Sequence, residues 1–206
     1  MSIVVGLKHK DKVWLACDKQ ITAGNMKIFL SGSHNKVFPV IEREGVIIGG
    51  VGFLRGINLL ETNNVYIDEL TYLKDGIDYN YMVNVFPILL NKMYVDAGFI
   101  SANDETLSLK GAVLVGVWDK LYAVDHDGSV VEVDSYTAIG TGEELAYGSI
   151  SSSMDQLMAL DDPNEIDDDD IIAILVSAVK AASNSSTCGG GIYILNSEGQ
   201  EVEFKF

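Results

Sequence analysis

Short apolar runs dominate the first fifty positions of the chain. Residues 3–7 and 13–17 are continuously apolar and flank a polar stretch at 9–12. Runs of this length that do not alternate with polar residues are typical of strands buried on both faces, so we predict a hairpin. Turn-forming Gly, Ser and Asn residues separate three further predicted strands, at 26–30, 36–40 and 45–49.

Helical spacing of apolar residues appears after Gly52, where Phe53, Ile57 and Leu60 share one face. A second helical pattern spans 79–97, and Pro87 is predicted to kink or restart it because proline lacks an N–H donor. Strands are predicted next at 111–117, 121–124, 130–133 and 136–139, with a hairpin turn at 127–128. Helices at 143–160 and about 167–182 and strands at 192–195 and 202–206 complete the prediction.

This order of elements predicts an α+β fold. Two sheets made of doubly apolar strands must be covered on both faces, and stacking them with helices outside gives a four-layer αββα sandwich. The 206 residues show no internal linker, so we expect one domain over 1–206.

Composition and charge exclude several classes of function. Lys and Arg number 14 against 30 Asp and Glu, a net charge of −16, which argues against nucleic acid as a partner. No apolar run reaches the roughly 20 residues of a membrane span, and no signal peptide opens the chain. Cys17 and Cys188 are expected to be buried, reduced thiols in a cytoplasmic protein. The three His residues lack ligand spacing, so neither a metal nor a cofactor is predicted.

Candidate chemistry lies at the start of the first hairpin. A turn centred near Lys10 would place Ser2 opposite Asp18. Because Ser2 is small, removal of Met1 is expected, which would leave Ser2 with a hydroxyl and a free α-amine. An α-amine titrates near neutral pH and can accept the hydroxyl proton, so one residue would supply both nucleophile and base.

At this point the sequence resembles the proteasome β-subunit and HslV group of N-terminal-nucleophile hydrolases. The resemblance spans nearly the whole chain, and the αββα sandwich is the fold of that group. Its motifs are SIVVG at 2–6, ACDKQITAGN at 16–25, NKVF at 35–38, IIGGVG at 47–52, AIGTG at 138–142 and GGGIYIL at 189–195.

The resemblance implies a role for each matching residue. Ser2 takes the place of the nucleophile, which is Thr in most members, and Lys36 that of a lysine whose ammonium lowers the pKa of the Ser2 amine. Asp18 would orient Lys36. The other implied residues are Gly49 as the oxyanion donor, Thr141 as a supporting hydroxyl, Thr22 as a backbone partner of substrate, and Ile47 and Val51 as walls of an apolar pocket.

The chain departs from the proteasome pattern before its final strands. Where that family has an Asp and a Ser, Ser185 and Cys188 stand here, as possible supporting residues, and HslV-type members also lack the acid. The resemblance implies a peptidase acting on peptides or proteins through an acyl-enzyme, in a homo-oligomeric ring or stacked rings that an ATPase unfoldase could supply. The alternatives are a catalytically inactive ring subunit of the same fold, and an amidohydrolase or peptide ligase acting on another amide.

Overall fold

A computed structural model of the chain describes residues 2–30, 34–40, 43–63, 76–101, 108–158, 166–185 and 187–205. In these residues there are twelve strands and five helices. The strands are β1 (Ile3–His9), β2 (Lys12–Asp18), β3 (Gln20–Ala23), β4 (Met26–Phe29), β5 (Val37–Pro39), β6 (Val46–Gly52), β7 (Gly111–Val117), β8 (Lys120–Val124), β9 (Val130–Val133), β10 (Tyr136–Gly140), β11 (Ile192–Asn196) and β12 (Glu201–Phe204). The helices are α1 (Leu54–Thr62), α2 (Tyr79–Asn84), α3 (Phe86–Asp96), α4 (Glu143–Met158) and α5 (Asp168–Ala182).

One antiparallel sheet has the order β10-β1-β2-β11-β12, and α4 and α5 cover one of its faces.

The helix α5 begins at a run of acidic residues in the sequence. The Asp167 side chain caps it by accepting from the amides of Asp169 and Asp170, and the Asp170 side chain in turn accepts from the Asp167 amide. Such a capping box satisfies amides that the first turn leaves open, and its charges favour the helix dipole. The acidic run is therefore the start of a helix, which agrees with the helix predicted from about residue 167.

The second antiparallel sheet has the order β5-β6-β7-β8-β9, and α1, α2 and α3 pack on its outer face. The predicted interruption near Pro87 is confirmed. The helical stretch breaks at Val85 and resumes at Phe86, with Pro87 in the first turn of α3, where a missing N–H costs nothing.

Apolar side chains fill the space between the two sheets. Along β1, Ile3 and Val5 face the helices whereas Val4 faces the second sheet, where it joins Leu15 of β2 and Leu114 of β7. Both faces of the strand are therefore buried, which explains the continuous apolar runs. The predicted four-layer αββα sandwich is confirmed.

Three predictions of detail need correction or lie outside the described residues. The turn of the first hairpin contains two residues, Lys10 and Asp11, with Lys10 at a φ of 53°. The β1–β2 register pairs Val4 with Cys17, so Asp18 lies level with Ile3 and not with Ser2. The strand β3 was not predicted. Residues 159–160 of the predicted fourth helix and residue 206 of the last strand are outside the described residues.

No helix in the described parts of the chain combines the length and apolarity needed to cross a membrane.

Candidate active site

The carboxylate of Asp18 is the centre of a buried cluster at the end of β2. One oxygen, Oδ1, accepts from the Ile3 amide at 3.0 Å and from Lys36 Nζ at 2.5 Å. The other, Oδ2, accepts from the amides of Gln20 at 3.2 Å and Gly189 at 3.0 Å. These four bonds match the roughly four lone-pair positions of a carboxylate, so Asp18 is an acceptor whose capacity is filled. Asp18 therefore holds the Ile3, Gln20 and Gly189 amides and Lys36 at fixed positions around its carboxylate.

The ammonium of Lys36 completes this cluster. Its side chain is 1% exposed and that of Asp18 is 0% exposed, so the ion pair is fully removed from solvent. Nζ also donates to the Gln20 carbonyl at 2.6 Å. An ammonium has three donors, and two of them are committed to these oxygens. Because the Ile3 amide shares the Asp18 oxygen with Lys36, the pair lies directly beside the Ser2–Ile3 peptide.

Ser2 is held from the opposite side by the segment that joins β10 to α4. Its carbonyl accepts from the Thr141 amide at 3.1 Å, with the Thr141 hydroxyl 3.5 Å away. Gly140 has a φ of +110°, and a Cβ there would lie 2.1 Å from the Ser2 carbonyl oxygen. Glycine is therefore required at this position for Ser2 to approach the strand end.

A cleft of about 540 Å³ opens beside Ser2. Four residues predicted for the site line it: Ser2, Thr22, Val51 and Thr141. The sequence did not single out the other lining residues, which are Ile21, Ala23, Gly52, Phe53, Leu54, Ile57 and Gly140. Within the described residues, the lining includes hydroxyls but no charged side chain. Two of these walls, Phe53 and Leu54, are large apolar residues that are 65% and 41% exposed.

The strand β3 presents an open edge at this cleft. Among the strands that the structure describes it pairs only with β4, and the bond from the Leu30 amide to the Lys19 carbonyl shows that the backbone groups of its odd-numbered residues face β4. Antiparallel pairing alternates, so the backbone groups of Gln20 and Thr22 face away from β4. The Gln20 amide donates to Asp18 and the Gln20 carbonyl accepts from Lys36. The backbone groups of Thr22 therefore lie on the side of β3 that faces Asp18 and Lys36. An extended peptide can add to such an edge.

Gly49 and Ile47 are not in the cleft. The Gly50 amide donates to the Lys36 carbonyl at 2.9 Å, so even-numbered residues of β6 face β5. By alternation the Gly49 amide is directed toward Leu114 of β7. A Cβ on Gly49 would lie 2.6 Å from Val4 Cγ1, so the glycine lets the two sheets approach. Ile47 is 2% exposed and packs in the core between the sheets.

The segment between α5 and β11 reaches the cluster through residues that the sequence only partly identified. Ser185 Oγ lies 2.9 Å from Thr187 Oγ1, which donates to Thr141 Oγ1 at 3.2 Å. Cys188 is 4% exposed, and burial raises the pKa of its thiol, which keeps it neutral. Thr187 and Gly189 escaped prediction because their contributions are a hydroxyl and a backbone amide contact over a long sequence separation.

Two solved structures share this architecture. A structure titled Thiobacillus denitrificans BPH in complex with epoxomicin aligns with a TM-score of 0.68 and 15% identity, covering 99% of this chain and 100% of that one. The HslV structure from Trypanosoma brucei aligns with a TM-score of 0.60 and 20% identity, covering 94% and 98%. The chain therefore has the αββα fold of N-terminal-nucleophile hydrolases.

The resemblance to the proteasome β-subunit and HslV group is confirmed. A family model described as proteasome subunit matches residues 106–195. The proteasome subunit beta 1 of Pyrobaculum aerophilum is 28% identical over 201 residues, covering 95% of this chain and 89% of that protein. At the level of the family, this similarity supports peptidase activity of the N-terminal-nucleophile type.

Proposed function

We propose that this protein hydrolyses peptide bonds with Ser2 as an N-terminal nucleophile, after removal of Met1. The observation that carries the proposal is the buried Asp18–Lys36 pair, which holds the Ser2–Ile3 peptide at the mouth of an uncharged cleft. A buried ion pair costs desolvation and is weak evidence for stability alone, so a position beside a cleft favours a role in chemistry.

In this mechanism the Ser2 amine accepts the Ser2 hydroxyl proton while Oγ attacks the scissile carbonyl. The C–N bond then breaks, and the leaving amine takes the proton from the Ser2 ammonium, which gives an ester on Oγ. Water attacks this acyl-enzyme with the amine again as base. The ester C–Oγ bond then breaks, Oγ takes the proton from the ammonium, and the acid product leaves. Asp18 is excluded as the base because its oxygens already accept four hydrogen bonds.

The cleft favours cleavage after an apolar residue. Its walls include Ile21, Val51, Leu54 and Ile57, and burying an apolar side chain of substrate there is worth about 1.5–3 kcal/mol. A charged side chain would lose its hydration without a described partner of opposite charge in the lining. The substrate backbone would pair with Thr22 at the open edge of β3.

The resemblance extends the proposal to assembly. We expect homo-oligomeric rings or stacked rings acting on peptides or unfolded proteins in the cytoplasm, with an ATPase unfoldase as a possible partner. Sedimentation at several protein concentrations would measure the ring size directly.

The proposed function is tested by intact-mass spectrometry of the protein incubated with a β-lactone probe. Ser2 Oγ attacks the lactone carbonyl and the ring C–O bond breaks. The opened probe stays attached, so the mass of the protein rises by the mass of the whole probe. We expect loss of Met1, one adduct on the wild type, and none on Ser2→Ala. The matched control is Ser152→Ala, which removes an exposed hydroxyl from α4 and should react as the wild type does.

Three results would contradict the proposal. Retained Met1 with no adduct would instead indicate the inactive ring subunit. An adduct that persists in Ser2→Ala would place the nucleophile elsewhere. Removal of Met1 and a Ser2 adduct without cleavage of any peptide would point to another amide as the substrate.

A further inference from the structure

Three hydroxyls form a line that ends at Ser2. Ser185 Oγ and Thr187 Oγ1 are 2.9 Å apart, Thr187 donates to Thr141 Oγ1 at 3.2 Å, and Thr141 Oγ1 lies 3.5 Å from the Ser2 carbonyl oxygen. Of these residues, Thr187 is the one that neither its position nor the family resemblance singled out. We infer that Thr187 is a positioning residue, which orients the Thr141 hydroxyl as a donor toward Ser2.

The direction of this line follows from counting protons. A hydroxyl carries one proton and can accept at its oxygen. Because Thr187 gives its proton to Thr141, it must accept from Ser185, although the 2.9 Å contact alone would permit either direction. Thr141 Oγ1 accepts from Thr187, so the hydroxyl proton of Thr141 is not used in that hydrogen bond and can be donated elsewhere. The nearest described acceptor is the Ser2 carbonyl, in a cleft that Thr141 and Ser2 both line.

Backbone contacts hold Thr187 in place for this role. Its carbonyl accepts from the Thr22 hydroxyl at 3.4 Å, which joins the segment to the cleft wall at β3. Two residues later, the Gly189 amide donates to Asp18 at 3.0 Å. The same short segment thus contacts the wall of the cleft, the buried acid and the residue that holds Ser2. Where the proteasome pattern has an Asp and a Ser, this chain has Ser185 and Cys188, and the Thr187 hydroxyl lies between those of Ser185 and Thr141.

The change to test is Thr187→Val, which removes the hydroxyl but keeps the β-branched shape and the carbonyl. This inference rests on the proposed function, because the effect is read from acylation of Ser2. Losing one oriented hydrogen bond lowers a rate about three- to tenfold. We expect that loss in the limiting rate of acylation by the β-lactone probe. The probe concentration at half-maximal rate should change less than twofold, since Thr187 does not line the cleft.

Two variants separate orientation from a general effect on the fold. Thr187→Ser restores the hydroxyl and should recover most of the limiting rate, which a purely structural defect would not do. Thr62→Val makes the same change on α1, where the hydroxyl donates to the Asn58 carbonyl, and should react like the wild type. Thr141→Val should lose as much rate as Thr187→Val, and the double variant little more, because both act through one hydroxyl.

The outcomes distinguish this inference from the proposed function. If the wild type reacts at Ser2 but Thr187→Val reacts equally fast, the positioning role is wrong and the hydrolase proposal stands. Equal losses in Thr187→Val and Thr187→Ser would also overturn it. If the wild type shows no Ser2-dependent adduct, both proposals fail together. Slower limiting acylation in Thr187→Val, recovered in Thr187→Ser, is the result that supports it.

Discussion

Replacing Lys36 with Met tests the buried ion pair most directly. Methionine fills a similar volume but removes the donors to Asp18 and to the Gln20 carbonyl. Removing one partner of a buried pair costs about 3–5 kcal/mol, because the remaining charge stays buried without compensation. The Asp18 carboxylate would still accept hydrogen bonds from three amides, those of Ile3, Gln20 and Gly189. We therefore expect the low end, a loss of about 3 kcal/mol in the free energy of unfolding.

Urea denaturation at one fixed protein concentration measures this loss. With a slope of about 2–3 kcal/mol per molar urea, the midpoint should fall by about 1 M or slightly more. Fixed concentration is needed because subunit association adds to apparent stability. The same variant should lose its reaction with the β-lactone probe.

Two further variants make the result interpretable. Lys92→Met removes an exposed lysine from α3 and should leave both the midpoint and the probe reaction unchanged. Adding Asp18→Asn to Lys36→Met removes the stranded charge, so the double variant should be less destabilised than the sum of the single ones. An unchanged midpoint in Lys36→Met, or strictly additive effects in the double variant, would refute the argument.

Two other predictions follow from the site. Gly140→Ala should slow acylation of Ser2 and lower the urea midpoint, because its Cβ would lie 2.1 Å from the Ser2 carbonyl oxygen at a φ of +110°. Gly148→Ala, in α4 with open space around it, should instead be neutral or more stable, and similar midpoints for the two variants would contradict this. Iodoacetamide at pH 8 should not modify the folded protein, because burial raises the pKa of Cys17 to about 11 and also raises that of Cys188. At that pH about one Cys17 thiol in a thousand is ionised. In urea, where both thiols are exposed, two adducts should appear. Rapid labelling of the folded protein would contradict the burial of the two thiols.

The layers of this fold could be predicted because their apolar patterns are distinctive. The strand β1 is continuously apolar since both its faces are covered, and Pro87 marks the start of α3. The strand β3 could not be predicted in this way. Its one buried residue, Gln20, is polar, and the other three are half-buried or exposed, so the strand has no apolar pattern of burial.

The site was predictable only where a residue's chemistry is visible in its side chain. Asp18 and Lys36 meet as expected, although a two-residue turn shifts the hairpin register and brings Ile3 level with Asp18. Gly49 shows the limit of a motif. The direction of its amide depends on the parity of pairing with β5 and β7, which residue types alone do not specify.

The bond from the Gly189 amide to Asp18 joins groups that are 171 positions apart in the sequence. During synthesis Ser2 leaves the ribosome well before Thr187, Gly189 and β11, which lie much later in the sequence. A growing chain therefore exposes Ser2, the proposed nucleophile, long before it can fill the acceptor positions of Asp18 or insert β11 beside β2. Because domains generally fold as units, the growing chain is expected to carry Ser2 in an incomplete site until Gly189 and β11 are released.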